Sequence, residues 1–222
     1  QAAALSGVQL AGLTAAKFAK LETEDVRALN VSALEAMGTA QMSSFTTAQA
    51  AALVGTQLAK LTTAQVANFA TDDLSAIQPL AVKSLSAAQM RALTTLQVAN
   101  LTTAQVAALT GSQLAAMETA DLQALTSAQV GAISNTQLVS LSTAQKEILF
   151  SNLGDAQKAG YSVGTLTADE LKNISASTLQ GWTAQDAAGL QVSQASALTP
   201  AQLQNLSTTA IANLSNGVMT AF

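Results

Sequence analysis

Few residues in this chain have the types and spacing that chemistry would need. Gly160-Tyr-Ser-Val-Gly164 matches the Gly-x-Ser-x-Gly spacing of a hydrolase nucleophile elbow. That elbow requires a preceding strand, a following helix and a histidine base, and the chain has no histidine. The stretch is read instead as a connector. Cysteine is absent too, which removes thiol nucleophiles, disulfides and thiolate metal sites. Acidic residues gather at Glu22, Glu24 and Asp25, at Asp72 and Asp73, and at Asp169 and Glu170. Calcium ligation would need a loop of the Asp-x-Asp-x-Asp-Gly kind, and none occurs, so these acids are expected in first helical turns, beside the partial positive charge there. Asn-x-Ser/Thr sequons at Asn30, Asn100, Asn173, Asn205 and Asn213 arise mostly where the last residue of one repeat meets the first two of the next. Trp182 and Phe150 lie on or next to core positions and are expected in the core. No catalytic, cofactor-binding or metal-ligating residue is assigned, and a non-enzymatic role is expected.

Composition narrows the classes further. Apolar residues make up 49% of the 222 residues, aromatics 3% and charged residues 10%, so charge-driven disorder does not fit. Nine basic residues against thirteen acidic ones argue against a nucleic-acid partner. No apolar run approaches the roughly 20 residues that span a bilayer, and no membrane insertion is expected. The first residue is Gln1 rather than Met, which suggests processing or a chosen boundary.

The elements that must position any site come from a repeat. Segments such as Leu61-Thr-Thr-Ala-Gln-Val-Ala-Asn68 and Leu101-Thr-Thr-Ala-Gln-Val-Ala-Ala108 share an eight-residue frame, which runs without insertion through eighteen octads from residue 5 to residue 148. The first position is Leu, Ile, Met or Phe in all eighteen. The sixth is large and apolar in sixteen, failing at Ala50 and Lys146, and the fifth is Gln in twelve. After 150–165 the frame resumes one residue out of phase, at Leu166, and Phe222 falls on a first position. Asp25, Asp73 and Asp121 replace the fifth-position Gln at intervals of six octads, which hints at a longer period.

An unbroken helix turns about 800° in eight residues, so its apolar stripe would rotate by about 80° per octad and no face would stay buried. In a strand, positions one and six point to opposite faces. A helix broken once per octad satisfies the pattern. Ser or Thr stands at position two in eleven octads and forms a capping box with Gln at position five, while positions one and six form a hydrophobic staple. Pro79 and Pro200 fall at position three, the first helical position, where a missing N–H costs nothing. The predicted fold is all-α: a solenoid of very short capped helices, one per octad, in which Ala-rich faces let neighbours approach.

The chain divides by this reading into an octad array over 1–149, an irregular joint over 150–165 where Gly154, Gly160 and Gly164 permit the phase slip, and a looser array over 166–222. The two ends carry apolar residues where a monomeric solenoid would carry polar caps. Leu5 and Leu10 at one end, with Val218, Met219 and Phe222 at the other, are the candidate assembly residues.

The tandem Leu-Thr-Thr-Ala-Gln-Val-Ala resembles the Ala/Thr/Gln-rich repeat regions of large secreted bacterial surface proteins of the adhesin type, closely over 5–149 and loosely over 166–222. The resemblance implies an extracellular or cell-surface location and a structural or adhesive role, and it carries over no functional residue. Two functions follow: a structural protein that joins to copies of itself as a filament, sheath or surface layer, or a spacer or binding module for protein or glycan. The first is preferred, with the chain itself as partner.

Overall fold

The computed structural model describes residues 4–152, 163–166, 168–172, 174 and 176–222, with the side chains of Asn135, Phe150, Thr165, Asp169, Glu170, Ser177 and Thr178 outside that description. Among the described residues there is no strand, and every regular element is a short helix. The fold is an all-helical solenoid. Most helices run four to six residues, as in Pro79–Val82 and Thr103–Ala108, and Thr143–Ser151 is longer at nine. Two compact units are present, Gln1–Ala124 and Leu125–Phe222.

Each helix starts where the octad says it should. In Thr103–Ala108 the N-cap Thr102 accepts the Gln105 N–H through its hydroxyl at 3.1 Å, and the Gln105 side chain accepts the Thr102 N–H at 2.8 Å. This reciprocal pair satisfies two of the amide groups that a helix start leaves open. The same box recurs at Thr46, Thr62, Ser86, Thr94, Thr110, Thr126, Thr183 and Thr199. At Gly38 and Val54 the N-cap side chain makes no cap bond, and only the Gln half survives. Pro79 and Pro200 are first helical residues, as their octad position requires.

Helix ends follow from the same spacing. The residue on the next first position, such as Leu53, Leu93 or Met117, leaves helical geometry for extended ψ, and the chain turns into the next cap. No residue among those described has a positive φ, so these corners need no glycine.

The core is built from positions one and six. From Leu29 onward the first-position residues of the first unit are buried, and the sixth-position residues Leu10, Phe18, Val26, Leu34 and Met42 are fully buried. Ala50 and Lys146, the two exceptions to the sequence pattern, are buried as well. Phe18, Phe45 and Phe69 pack in succession, the first pair edge-to-face and the second tilted, with ring centroids 4.7 and 5.3 Å apart. Trp182 is buried, as expected of a first-position residue.

Within each unit a helix packs on the helix three octads further along: Thr47–Ala52 on Thr71–Ala76 in the first unit, Ala184–Ala188 on Thr208–Ala212 in the second. The chain thus returns on itself in rungs. Of the candidate joint residues, Gly164 lies in the 3₁₀ turn Val163–Thr165, whereas Gly154 and Gly160 lie outside the described residues.

Candidate functional site

Position five holds the rungs together. Apart from Gln9 and Gln145 its Gln side chains are buried, several of them almost completely: Gln105 is 0% exposed, Gln49, Gln65 and Gln97 are 2% exposed. A buried primary amide is costly unless both its oxygen and its nitrogen find partners. The oxygen takes the N-cap N–H of its own helix. The nitrogen reaches back a whole rung and donates to two main-chain carbonyls, 31 and 28 residues earlier. Gln105 Nε2 donates to Leu74 O at 2.9 Å and Ile77 O at 2.7 Å, and Gln65 Nε2 to Leu34 O at 2.7 Å and Met37 O at 2.8 Å. Gln41, Gln49, Gln57, Gln89, Gln97 and Gln113 repeat the arrangement in the first unit. In the second unit Gln202 donates to Leu171 O at 2.9 Å and Ile174 O at 2.7 Å, and Gln194 to the carbonyls of Val163 and Leu166.

The acceptors explain the offsets. Residues 31 and 28 back sit at positions six and one, in the last turn of an earlier helix and the corner that follows it, where carbonyls lack the N–H four residues on that a continuing helix would supply; the position-six carbonyl, such as Leu74 O, also accepts the N–H of the position-one residue. One Gln therefore caps the start of its own helix and the end of another. The offsets also fix the size of a rung: helices meet three octads apart, and the amides reach into the fourth.

Where Gln is missing, other side chains take over part of the task. Ala33 and Ala210 stand at position five, and there the position-two residue reaches back 25 residues instead: Asn30 Nδ2 donates to Leu5 O at 2.9 Å and Ser207 Oγ to Trp182 O at 3.4 Å. Asn152 Nδ2 donates to Leu125 O at 3.3 Å, 27 residues back. At Asp73 and Asp121 the shorter carboxylate receives a threonine hydroxyl from 26 residues back, Thr47 at 3.1 Å and Thr95 at 2.9 Å. The two acids six octads apart thus do the same job, since six octads are two packing steps. Burial pushes the Asp73 carboxyl above the usual carboxylate range; the Thr47 hydroxyl bond opposes the shift and the neighbouring Asp72 adds to it.

These 28- and 31-residue bonds are encoded by tandem repeats, and the repeats themselves are known. The ALTTAQ repeat family matches residues 18–54, 66–103, 90–117 and 114–147, more than half of the chain. The chain belongs to the ALTTAQ repeat family. In this chain the Thr-Thr-Ala-Gln core of an octad supplies the cap residue, the first helical turn and the bridging amide, so the repeat carries the rung contact. No curated protein matches the chain.

The residues singled out from sequence are placed as follows. Glu24 and Asp25, and Asp72 and Asp73, lie in first helical turns, but Asp73 is buried in the rung contact. The sequon residues Asn100, Asn205 and Asn213 use their side-chain amides to bond carbonyls four residues back, as does Asn68, which is not in a sequon, at 2.8–2.9 Å. Asn173, and the Gly160-Tyr-Ser segment, lie outside the described residues. Among the candidate assembly residues, Leu10 and Val218 are already buried inside their own units, because positions six and five point into the core; Leu5 is half-buried, and Met219 and Phe222 are 47% and 49% exposed. Among the described residues no group of acids could hold a metal ion, and no helix is long and apolar enough to cross a membrane. The donor half of the Gln side chain is what sequence reading missed. One signal pointed to it: a capping box accepts Glu as readily as Gln, yet none of the eighteen octads has Glu at position five.

Proposed function

We propose that this ALTTAQ array is a non-enzymatic structural protein of the cell exterior, whose copies join head-to-tail into a filament, sheath or surface layer. The observation that carries this reading is the rung contact. Except at Asp73 and Asp121 it is made of uncharged, repeat-encoded groups, an amide on one side and two carbonyls with apolar neighbours on the other, so a rung of one copy is chemically able to sit on a rung of another. In the second unit, Leu203, Leu206, Ile211, Leu214, Met219 and Phe222 line an apolar pocket of about 210 Å³, with Ile211, Met219 and Phe222 partly exposed. In the first unit, Val8 is 85% exposed beside the exposed Gln9, a position-five amide. A head-to-tail contact of this kind is heterologous and propagates unless its rotation closes a ring.

Sedimentation velocity and negative-stain microscopy of the purified chain over a range of concentrations test this. Concentration-dependent assemblies that persist at high ionic strength are expected, because the contact uses no charge pairs. Phe222→Asp should weaken them, since a buried unpaired carboxylate is costly. A wild-type chain that stays monomeric at high concentration, with the Asp variant identical to it, would instead favour a spacer or binding module within a surface adhesin.

A further inference from the structure

The first unit departs from its own repeat at one place on its surface. The helices Gly55–Leu58 and Pro79–Val82 stack on each other, and both carry unusual residues at their starts: Val54 where Ser or Thr usually caps, Gly55 next to it, and Gln78 and Leu80 in the later octad. A side chain on Gly55 would collide with the Ser84 side chain, just past the end of the second helix, so this start has room only for glycine as Ser84 now stands. The departures converge on a groove of about 450 Å³. Its apolar wall includes Leu80, 79% exposed, and Val54, 37% exposed. Its polar residues are Arg27, Thr56, Gln78 and Ser84. No acidic residue lines it, and among the described residues the Arg27 guanidinium has no ion-pair partner.

We propose that this groove receives the C-terminal end of a peptide whose last residue is aliphatic, its carboxylate on Arg27 and its side chain against Val54 and Leu80. A guanidinium matches a carboxylate with two parallel N–H bonds, which makes Arg27 the natural anchor in a chain that is acidic overall. Large aliphatic groups standing in solvent beside that charge call for a ligand that is apolar on one side of its anion. A terminal aliphatic residue joins both features within one residue, and the groove has room for about two, at the small end of ligand sites. The hydroxyls of Thr56 and Ser84 and the Gln78 amide are left to bond the peptide group behind it. A uronic-acid sugar offers the carboxylate without an aliphatic side chain and leaves Leu80 uncovered.

Titration of the isotope-labelled 222-residue chain with N-acetyl-L-leucine, followed by nuclear magnetic resonance, tests the assignment. Saturable shifts at Arg27 Nε and at the Thr56 and Ser84 amides are expected. N-acetyl-L-leucinamide, which lacks the charge, should bind at least about tenfold more weakly, and so should N-acetyl-L-leucine to Arg27→Gln. Leu80→Ala, which restores the residue most common at that octad position, should weaken binding without altering the helical circular dichroism. Absence of saturable binding, equal binding of the amide, binding of D-glucuronate as tight as that of N-acetyl-L-leucine, or indifference to both substitutions would overturn the proposal.

Discussion

Gln105 Nε2 donates to the carbonyl of Ile77, 28 residues earlier, at 2.7 Å, while its Oε1 accepts the N–H of Thr102 in its own helix. One side chain thereby ties local structure to tertiary structure. The local half can be exchanged for a carboxylate, which accepts equally well. The long-range half cannot, because two carbonyl oxygens face the nitrogen.

Gln105→Glu separates the two halves. It keeps the cap and places a buried anion against Leu74 O and Ile77 O, so a loss of about 2–4 kcal/mol at neutral pH is expected in urea denaturation. Gln9 also occupies position five but is exposed, and Gln9→Glu should change stability by less than about 0.5 kcal/mol. Equal effects at the two positions would mean that the long-range bonds contribute nothing.

Asp73 gives the array a pH dependence of known sign. Burial holds its folded-state carboxyl above the usual range, so the native state binds this proton more tightly than the unfolded chain does. The stability tied to this group is present below the ordinary Asp pKa and is lost as pH rises through the raised value. Asp73→Gln should remove that dependence and raise stability at pH 7 by about 1–2 kcal/mol by restoring the amide. Urea midpoints measured from pH 3.5 to 7 on both proteins check it; parallel curves would contradict it.

Gly55 and Ser84 should behave as a coupled pair. Gly55→Ala places a methyl on the Ser84 side chain and is expected to cost about 1–3 kcal/mol, although alanine is the better helix former. Ser84→Gly in the same chain should recover most of that cost. A double-mutant cycle with no interaction energy would show that the helices are free to separate.

The caps and the core contribute separately. Thr102→Ala removes the hydroxyl that accepts the Gln105 N–H and is expected to cost about 1 kcal/mol. Leu101→Ala empties a site that is 3% exposed and is expected to cost roughly 2–5 kcal/mol. If the two costs were reversed in thermal or urea unfolding, the staple rather than the cap would be dispensable.

Helix starts were legible in the sequence because a capping box is local: Thr102 and Gln105 lie three residues apart, and the periods that a helix and a strand allow exclude the alternatives. Burial at positions one and six followed from the same geometry. The rung was not legible. Nothing local in the octad says that residue 105 will meet residues 74 and 77, since that distance is set by the turn at every corner between them. The candidate assembly residues show the same boundary. Leu10 and Val218 looked available because they lie near the chain ends, yet their octad positions turn them into the core. The spacing of Asp73 and Asp121 was visible, but its meaning needed Thr47 and Thr95, which lie a rung away.

Hydrogen exchange of the glutamine side-chain amides tests the ladder most directly, because it reads the donor atoms themselves. The Nε2 hydrogens of Gln65, Gln97 and Gln105 are predicted to exchange orders of magnitude more slowly than those of the exposed Gln9, on the timescale of rung opening. If all of these amides exchange alike, at the rate of a solvent-exposed glutamine, they do not join the rungs and the ladder does not hold the fold together.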